Sequence, residues 1–202
     1  MSIQDVYNKI ATEFDKTRIA IWPNVRTFLD SLSIGSSILD IGCGNGKNML
    51  YRKDINCKGC DISTEQVKIC QEKGLDVTRS YMEALPYNDN EFDNAICIAS
   101  YHHLDNDSYR EASLKEMYRC LKPGGKVLIT VWAMEQDASS KRIFTKRDEQ
   151  VPWKSKDGIT HYRYYHIYNK GDLEEEISRL EPIFKHVASG YEASNWWIVL
   201  EK

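Results

Sequence analysis

The feature that most constrains the fold of this chain is a seven-residue run, Asp40-Ile41-Gly42-Cys43-Gly44-Asn45-Gly46, set directly behind the apolar pair Ile38-Leu39. Glycines at alternate positions let the backbone enter conformations that side chains avoid and let a ligand approach the main chain closely. Ser37 to Ile41 therefore reads as a buried strand, the glycine run as its exit loop, and Lys47 to Tyr51 as the start of a helix. In dinucleotide sites a third glycine follows the second by three residues; here that position is Lys47, so the pattern favours a cofactor without pyrophosphate. Asp61, 21 residues beyond Asp40, falls at the end of the next strand, where a carboxylate accepts hydrogen bonds from ribose hydroxyls.

The same alternation continues along the chain. Apolar Ile3, Val6, Tyr7, Ile10 and Phe14 recur at helical spacing, and Trp22-Pro23 separates that helix from a second one through Leu32, so residues 1–33 form an N-terminal helical segment. Strands are expected at 55–60, 76–79, 92–99 and 126–132, with helices at 64–73 and 108–121 between them. Alternating strands and helices imply a parallel sheet with helices on both faces. Residues 134–170 break the rhythm and are expected to be an irregular, functional insert. A helix over 171–180 and two apolar runs, Ile183 to Ala188 and Trp196 to Leu200, then close the chain as an antiparallel pair.

With 202 residues, 42% apolar and 28% charged, the chain suits one ordered domain rather than two, spanning 1–202. It opens without a basic, then apolar, leader and holds no run of membrane-spanning length, which points to a cytoplasmic or nuclear protein without membrane contact. The Cys57-Lys58-Gly59-Cys60 pair sits in a predicted strand, where positions three apart face opposite sides, so no metal is expected there. Charge is uneven: residues 141–170 hold eight Lys/Arg against three Asp/Glu, leaving that segment at +5 and the remainder at -8. An anionic partner would meet the protein there.

The glycine loop and distal acid resemble those of the seven-strand methyltransferases that use S-adenosylmethionine (SAM), whose loop is commonly written D/E-x-G-x-G-x-G. The resemblance covers nearly the whole chain. It implies an α/β fold: a Rossmann-like seven-stranded methyltransferase sheet with an antiparallel last strand and helices on both faces. By that likeness Asp40, Gly42 and Gly44 lie near the methionine part of SAM, Asp61 at its ribose, and Met82 with Glu83 beside the adenine. Ser100, at the end of the fourth strand, joins the cofactor contacts. Tyr81 stands where many relatives carry an Asp. The strand ends Ala99-Ser100-Tyr101-His102-His103-Leu104 and lacks the Asn/Asp-Pro-Pro-aromatic signature of methylases acting on amino groups, which disfavours exocyclic amines; the two histidines read as lining.

Further stretches are similar to one family within that group: Thr17-Arg18 with Trp22-Pro23, Val131-Trp132-Ala133-Met134-Glu135-Gln136, Val151-Pro152-Trp153, Arg163-Tyr164-Tyr165-His166 followed by Gly171-Asp172-Leu173, and Asn195-Trp196-Trp197. They resemble the tRNA wobble-uridine carboxymethyl methyltransferases, including the methyltransferase part of the animal AlkB-like enzyme. There a 5-carboxymethyl group on the uridine at the first anticodon position becomes its methyl ester. This resemblance implies the tRNA anticodon loop as substrate, the 134–170 insert as the segment that binds it, and a small zinc-binding activator subunit pairing along a sheet edge.

Residue chemistry suits an RNA acceptor as well. The insert interleaves Lys and Arg with Phe144, Trp153, Tyr162, Tyr164, Tyr165 and Tyr168, and cations can follow phosphates while aromatic faces stack unpaired bases. Two other readings stay open from residues alone: a small-metabolite methyltransferase with the insert as a lid, and a catalytically silent binding module. A carboxylate acceptor is ionised near neutral pH, so its methylation needs no general base and rests on alignment. A tightly held buried cation would favour the ground state, which leads to the expectation of hydrogen-bond orientation with at most a partly solvated arginine. Arg18, Trp132, Arg163 and His166 are the candidates. Replacing Asp61 with Ala is expected to weaken SAM binding strongly while the chain stays folded; unchanged affinity by calorimetry in a folded variant would contradict this reading of the loop.

Overall fold

The computed structural model describes residues 1–138, 140–180 and 184–202. Its first helix, α1 (Ile3–Thr17), begins at a capping box: the Ser2 hydroxyl accepts the Asp5 N–H at 3.1 Å and the Asp5 carboxylate accepts the Ser2 N–H at 3.2 Å. Val6, Ile10 and Ala11 form its buried face. Helix α2 (Pro23–Asp30) starts with proline in its first turn, where the missing N–H is harmless. The two helices were expected, and the glycine loop emerges from β1 (Ser37–Ile41) as read from the sequence.

The helix expected from Lys47 does not form. Residues 47–51 make only turns, one closed by the Tyr51 N–H on the Asn48 carbonyl at 3.2 Å. Five residues cannot offset the entropy of nucleating a helix, and Arg52 turns back to donate to the Leu29 and Leu32 carbonyls at 2.8 and 3.0 Å. The chain then passes directly into β2 (Asn56–Asp61), followed by α3 (Thr64–Glu72), β3 (Asp76–Arg79), β4 (Phe92–Ile98), a single 3-10 turn (Tyr101–His103), α4 (Asp107–Cys120) and β5 (Leu121–Trp132). Later come β6 (Asp148–Lys154), β7 (Thr160–His166), α5 (Asp172–Ser178), β8 (Lys185–Glu192) and β9 (Asn195–Glu201). Ile183, expected to open the penultimate strand, lies outside the described residues.

Seven strands form one sheet in the order β3-β2-β1-β4-β5-β9-β8, with β1 to β5 parallel and β9 inserted antiparallel between β5 and β8. Alternate residues serve opposite faces. Leu39, Ile41, Ala95, Cys97, Val127 and Ile129 pack with Leu114 and Met117 of α4 and Leu173 and Ile177 of α5. Ile38, Ile96 and Leu128 meet Val25, Phe28 and Leu29 of α2. Cys60 belongs to the first cluster and Cys57 to the opposite side, as the strand reading of that pair required. Among the described residues no helix is long and apolar enough to cross a membrane.

The insert is more ordered than the sequence suggested. Strands β6 and β7 pair antiparallel from Asp148↔His166 to Lys154↔Thr160, a hairpin outside the main sheet. Its turn contains Asp157-Gly158, with Gly158 at φ 86°; a Gly there is a hairpin signal that the charge of the segment obscured. Behind the hairpin, Glu176 of α5 receives the hydroxyls of Tyr101 and Tyr168 and lies 3.2 Å from Arg110 Nε. Both tyrosines are fully buried and Arg110 nearly so. Removing the carboxylate leaves two buried phenols without their acceptor while Arg110 keeps Asp107 and the Leu104 carbonyl, so Glu176→Ala is expected to cost about 2–4 kcal/mol of stability. Tyr101→Phe should cost about 1 kcal/mol, and urea unfolding of both variants checks the difference.

Candidate active site

A cavity of about 850 Å3 opens at the carboxyl ends of the parallel strands, where open α/β sheets bind ligands. Gly42, Cys43 and Gly44 after β1, Asp61 at the end of β2, Tyr81, Met82 and Glu83 after β3, and Ser100 after β4 line one half of it. Tyr7 and Phe14 of α1 close it from the side.

The glycine loop is held by its neighbours rather than by helix. Gly42 and Cys43 donate to the Cys60 carbonyl at 2.8 and 2.9 Å, and Gly44 donates to Asp61 Oδ2 at 2.8 Å. Asp61 Oδ1 accepts the Ser63 N–H at 2.8 Å. Burial raises the pKa of Asp61, and these backbone donors oppose the rise. Gly42 sits at φ 68°, and a Cβ there would lie 1.9 Å from Ser100 Oγ. Gly44, at φ 54°, would place its Cβ 3.2 Å from the Phe14 ring. The first glycine thus keeps clear the space between the loop and β4, and the second lets α1 close down.

Asp40 does not line the cavity. It is fully buried beneath the loop, neither carboxylate oxygen has a hydrogen-bond partner among the described residues, and burial pushes its pKa up to about 7. The position at the strand end suggested a cofactor contact, but a strand residue faces one side only, and Asp40 faces inward.

The other half of the cavity is a wall of aromatic rings and arginines. Trp132 and Tyr165 stack at 4.0 Å and 17°. Arg163 lies between Trp153 and Tyr165, 5.1 and 5.2 Å from their centroids, and is 4% exposed. Arg18 lies 5.4 Å from both Phe14 and Trp153, and Arg142 lies 4.4 Å from Trp132. Arg18, Trp132 and Arg163 are therefore brought together on one wall, as expected from the sequence. The arginine at the centre is buried between rings rather than partly solvated, because the hairpin folds its aromatic face over it.

His166 is not part of this wall. Its Nδ1 pairs with Asp148 at 2.9 Å across the hairpin and its ring packs edge-on against Tyr168, so it braces β6 on β7. His102 is likewise structural: it is fully buried and its Nδ1 accepts the Trp132 N–H at 3.1 Å. His103 does line the cavity. Its Nδ1–H donates to the Tyr164 carbonyl at 2.7 Å, which leaves Nε2 to accept the Tyr7 hydroxyl at 2.8 Å. Burial pushes the pKa of His103 down to about 3, so it remains neutral and positions Tyr7. Tyr7 and Phe14 were missed as site residues; their helical spacing marked a covered face without saying that a cavity was what it covered.

Among known proteins, the chain is 37% identical to the fission yeast (Schizosaccharomyces pombe) tRNA (carboxymethyluridine(34)-5-O)-methyltransferase, over 99% of this chain and 96% of that one. The chain belongs to this methyltransferase family. A relative of the same activity name from the frog Xenopus tropicalis is 32% identical over 99% of this chain, which spans 40% of that longer protein. A family described as a methyltransferase domain matches residues 39–129. The fold recurs in the methyltransferase solved with the Trm112 methyltransferase activator from Haloferax volcanii, at TM-score 0.73 and 14% identity, covering 99% of this chain and 97% of that one.

The family's cofactor is SAM, and the cavity fits it: the volume is within the range of cofactor sites, Gly42 keeps the loop free of side chain, and the lining includes the Asp61 carboxylate, which can accept from hydroxyl groups. Gly42→Ala is expected to lower SAM affinity at least about tenfold, since both the contact with Ser100 and the positive φ oppose a methyl group. Adding Ser100→Gly removes the contact but not the backbone strain, so it should restore affinity in part. Calorimetry on the single and double variants decides; no rescue at all would place the obstruction elsewhere.

Proposed function

We infer that this enzyme converts 5-carboxymethyluridine at the wobble position of tRNA to its methyl ester. The observation that carries the reading is Arg163: a guanidinium almost wholly buried, lining the cavity, and without an acidic partner among the described residues. A buried cation is expensive unless an anion completes it. The substrate's carboxylate is that anion.

When bound, SAM supplies a methyl group carried on a positive sulfonium. The chain's part is alignment and exclusion of water. Arg163 presents planar paired donors that fix both carboxylate oxygens. Trp132 and Tyr165 wall the acceptor and limit its rotation, and neither His102 nor His103 supplies a proton near neutral pH, since burial holds both neutral. None is needed for an ionised carboxylate. Pairing with Arg163 tempers the nucleophile, and alignment has to outweigh that loss. The ester product is neutral and leaves Arg163 uncompensated again, which favours its release.

On this reading residues 1–202 act as one domain, with 134–170 as the substrate segment, in the cytoplasm or nucleus where tRNA is processed. A small activator subunit, zinc-binding as the family resemblance implies, completes the enzyme; that a protein of this fold was solved with a methyltransferase activator in Haloferax supports the pairing. Gly42, Gly44, Asp61, Met82, Glu83 and Ser100 hold the cofactor, and Arg18, Trp132 and Arg163 face the substrate.

Arg163→Ala should lower kcat/KM on tRNA bearing 5-carboxymethyluridine at least about tenfold, with SAM affinity near normal. Lys should rescue poorly, because a point charge cannot reproduce the guanidinium fork. Single-turnover rates and tRNA affinity of both variants check the assignment: good rescue by Lys, with the defect in affinity, would assign Arg163 to a phosphate instead.

A further inference from the structure

Arg163 is one of three arginines in the wall, and a single carboxylate cannot satisfy them all. Arg18 rests on Phe14 and Trp153 and makes only long contacts, at 3.4 Å, to Thr17 oxygens beside it. Arg142 has no polar partner for its guanidinium among the described residues; the Trp132 face, 4.4 Å away, is its support. Asp61, Glu83 and Asp105 also line the cavity, yet none pairs with any of the three. Partial loss of hydration against the Trp132 ring lowers the pKa of Arg142, and Arg163 and Arg18 lower it further as like charges. The wall is therefore held together against its own repulsion.

Arg142 and Arg163 differ in position. Between them stand the stacked rings of Trp132 and Tyr165, so one carboxylate group cannot bridge both guanidiniums. Arg163 is buried, whereas Arg142 is exposed at the mouth, next to exposed Lys141 and followed by exposed Lys146. A nucleotide entering such a cavity carries its base inward and leaves its backbone at the rim. From this arrangement we propose that Arg142 binds a phosphodiester adjoining the modified nucleotide, as a second anion site separate from the carboxylate site at Arg163. The proposal rests on the RNA acceptor inferred above. The flat face on Trp132 pre-orients the guanidinium, so its edge donors meet the phosphate oxygens with little loss of side-chain freedom.

The test uses anticodon stem-loop RNAs bearing 5-carboxymethyluridine, with the linkage on its 5′ or 3′ side replaced singly by an uncharged methylphosphonate. Binding and methylation are measured for wild type and Arg142→Ala. Neutralising one of the two linkages should weaken wild-type binding about tenfold, Arg142→Ala should weaken binding of the unmodified backbone equally, and combining the two should add nothing further. SAM affinity should stay within twofold. The slope of log affinity against log salt should become shallower by about 0.7 in the variant. Full additivity at both linkages would overturn the proposal, and a fall in SAM affinity would assign Arg142 to the cofactor's carboxylate instead. Absence of methylation in every RNA, with the binding cycle intact, would count against the proposed reaction and leave the phosphate site standing.

Discussion

The carboxylate of Asp61 is the constraint on which the rest of the site depends. It receives the Gly44 and Ser63 N–H groups, and its own carbonyl receives the Ser80 N–H at 3.0 Å. One residue thus ties the loop after β1, the start of α3 and the exit of β3. Ser63 in turn caps α3 by accepting the Gln66 N–H and ties it to α1 by donating its hydroxyl to Asn8 Oδ1 at 2.7 Å. Because no helix follows the glycine loop, this clasp takes over the positioning that a helix would otherwise supply. Burying an acid is unfavourable, and the backbone donors around it make that burial tolerable.

The second organising device is the use of aromatic faces to store positive charge. Phe14, Trp153, Tyr165 and Trp132 hold Arg18, Arg163 and Arg142 with almost no help from acids. Guanidinium is weakly hydrated and planar, so it loses less on leaving water than an ammonium would, and the ring quadrupole recovers part of that loss. An acid in the same place would neutralise the wall and compete with the substrate. Leaving the cations unpaired keeps the site ready for an anion. The surroundings supply the necessary rigidity: the Lys156 N–H donates to Glu13 at 2.9 Å, and Tyr164 holds His103, so the hairpin docks on α1 and on the turn after β4.

How much of this was legible beforehand differs from residue to residue. The strands, the glycine loop and Asp61 could be read because strand burial, positive φ and the strand-end acid each leave a local mark in the sequence. Family resemblance extended that reading to Arg18, Trp132 and Arg163. Asp40 and His166 shared the same motifs but point elsewhere, one beneath the loop and one across the hairpin to Asp148. Neighbours in sequence alternate sides along a strand, so a motif names a stretch of chain and not the side chains that face the ligand.

By itself, then, the sequence determined the strands of the main sheet and the helices before and between them, the cofactor loop, and a cationic, aromatic insert suited to an anion, though not the insert's own strands. These follow from periodicity and backbone preference, which act over a few residues. Only the tertiary structure decided that Tyr7 and Phe14 of the first helix close the cavity and that Arg18 joins Arg142 and Arg163 on one stack of rings. Those outcomes depend on contacts between segments more than a hundred residues apart, such as Glu13 with Lys156. Packing geometry sets such contacts, and no local pattern in the chain encodes them.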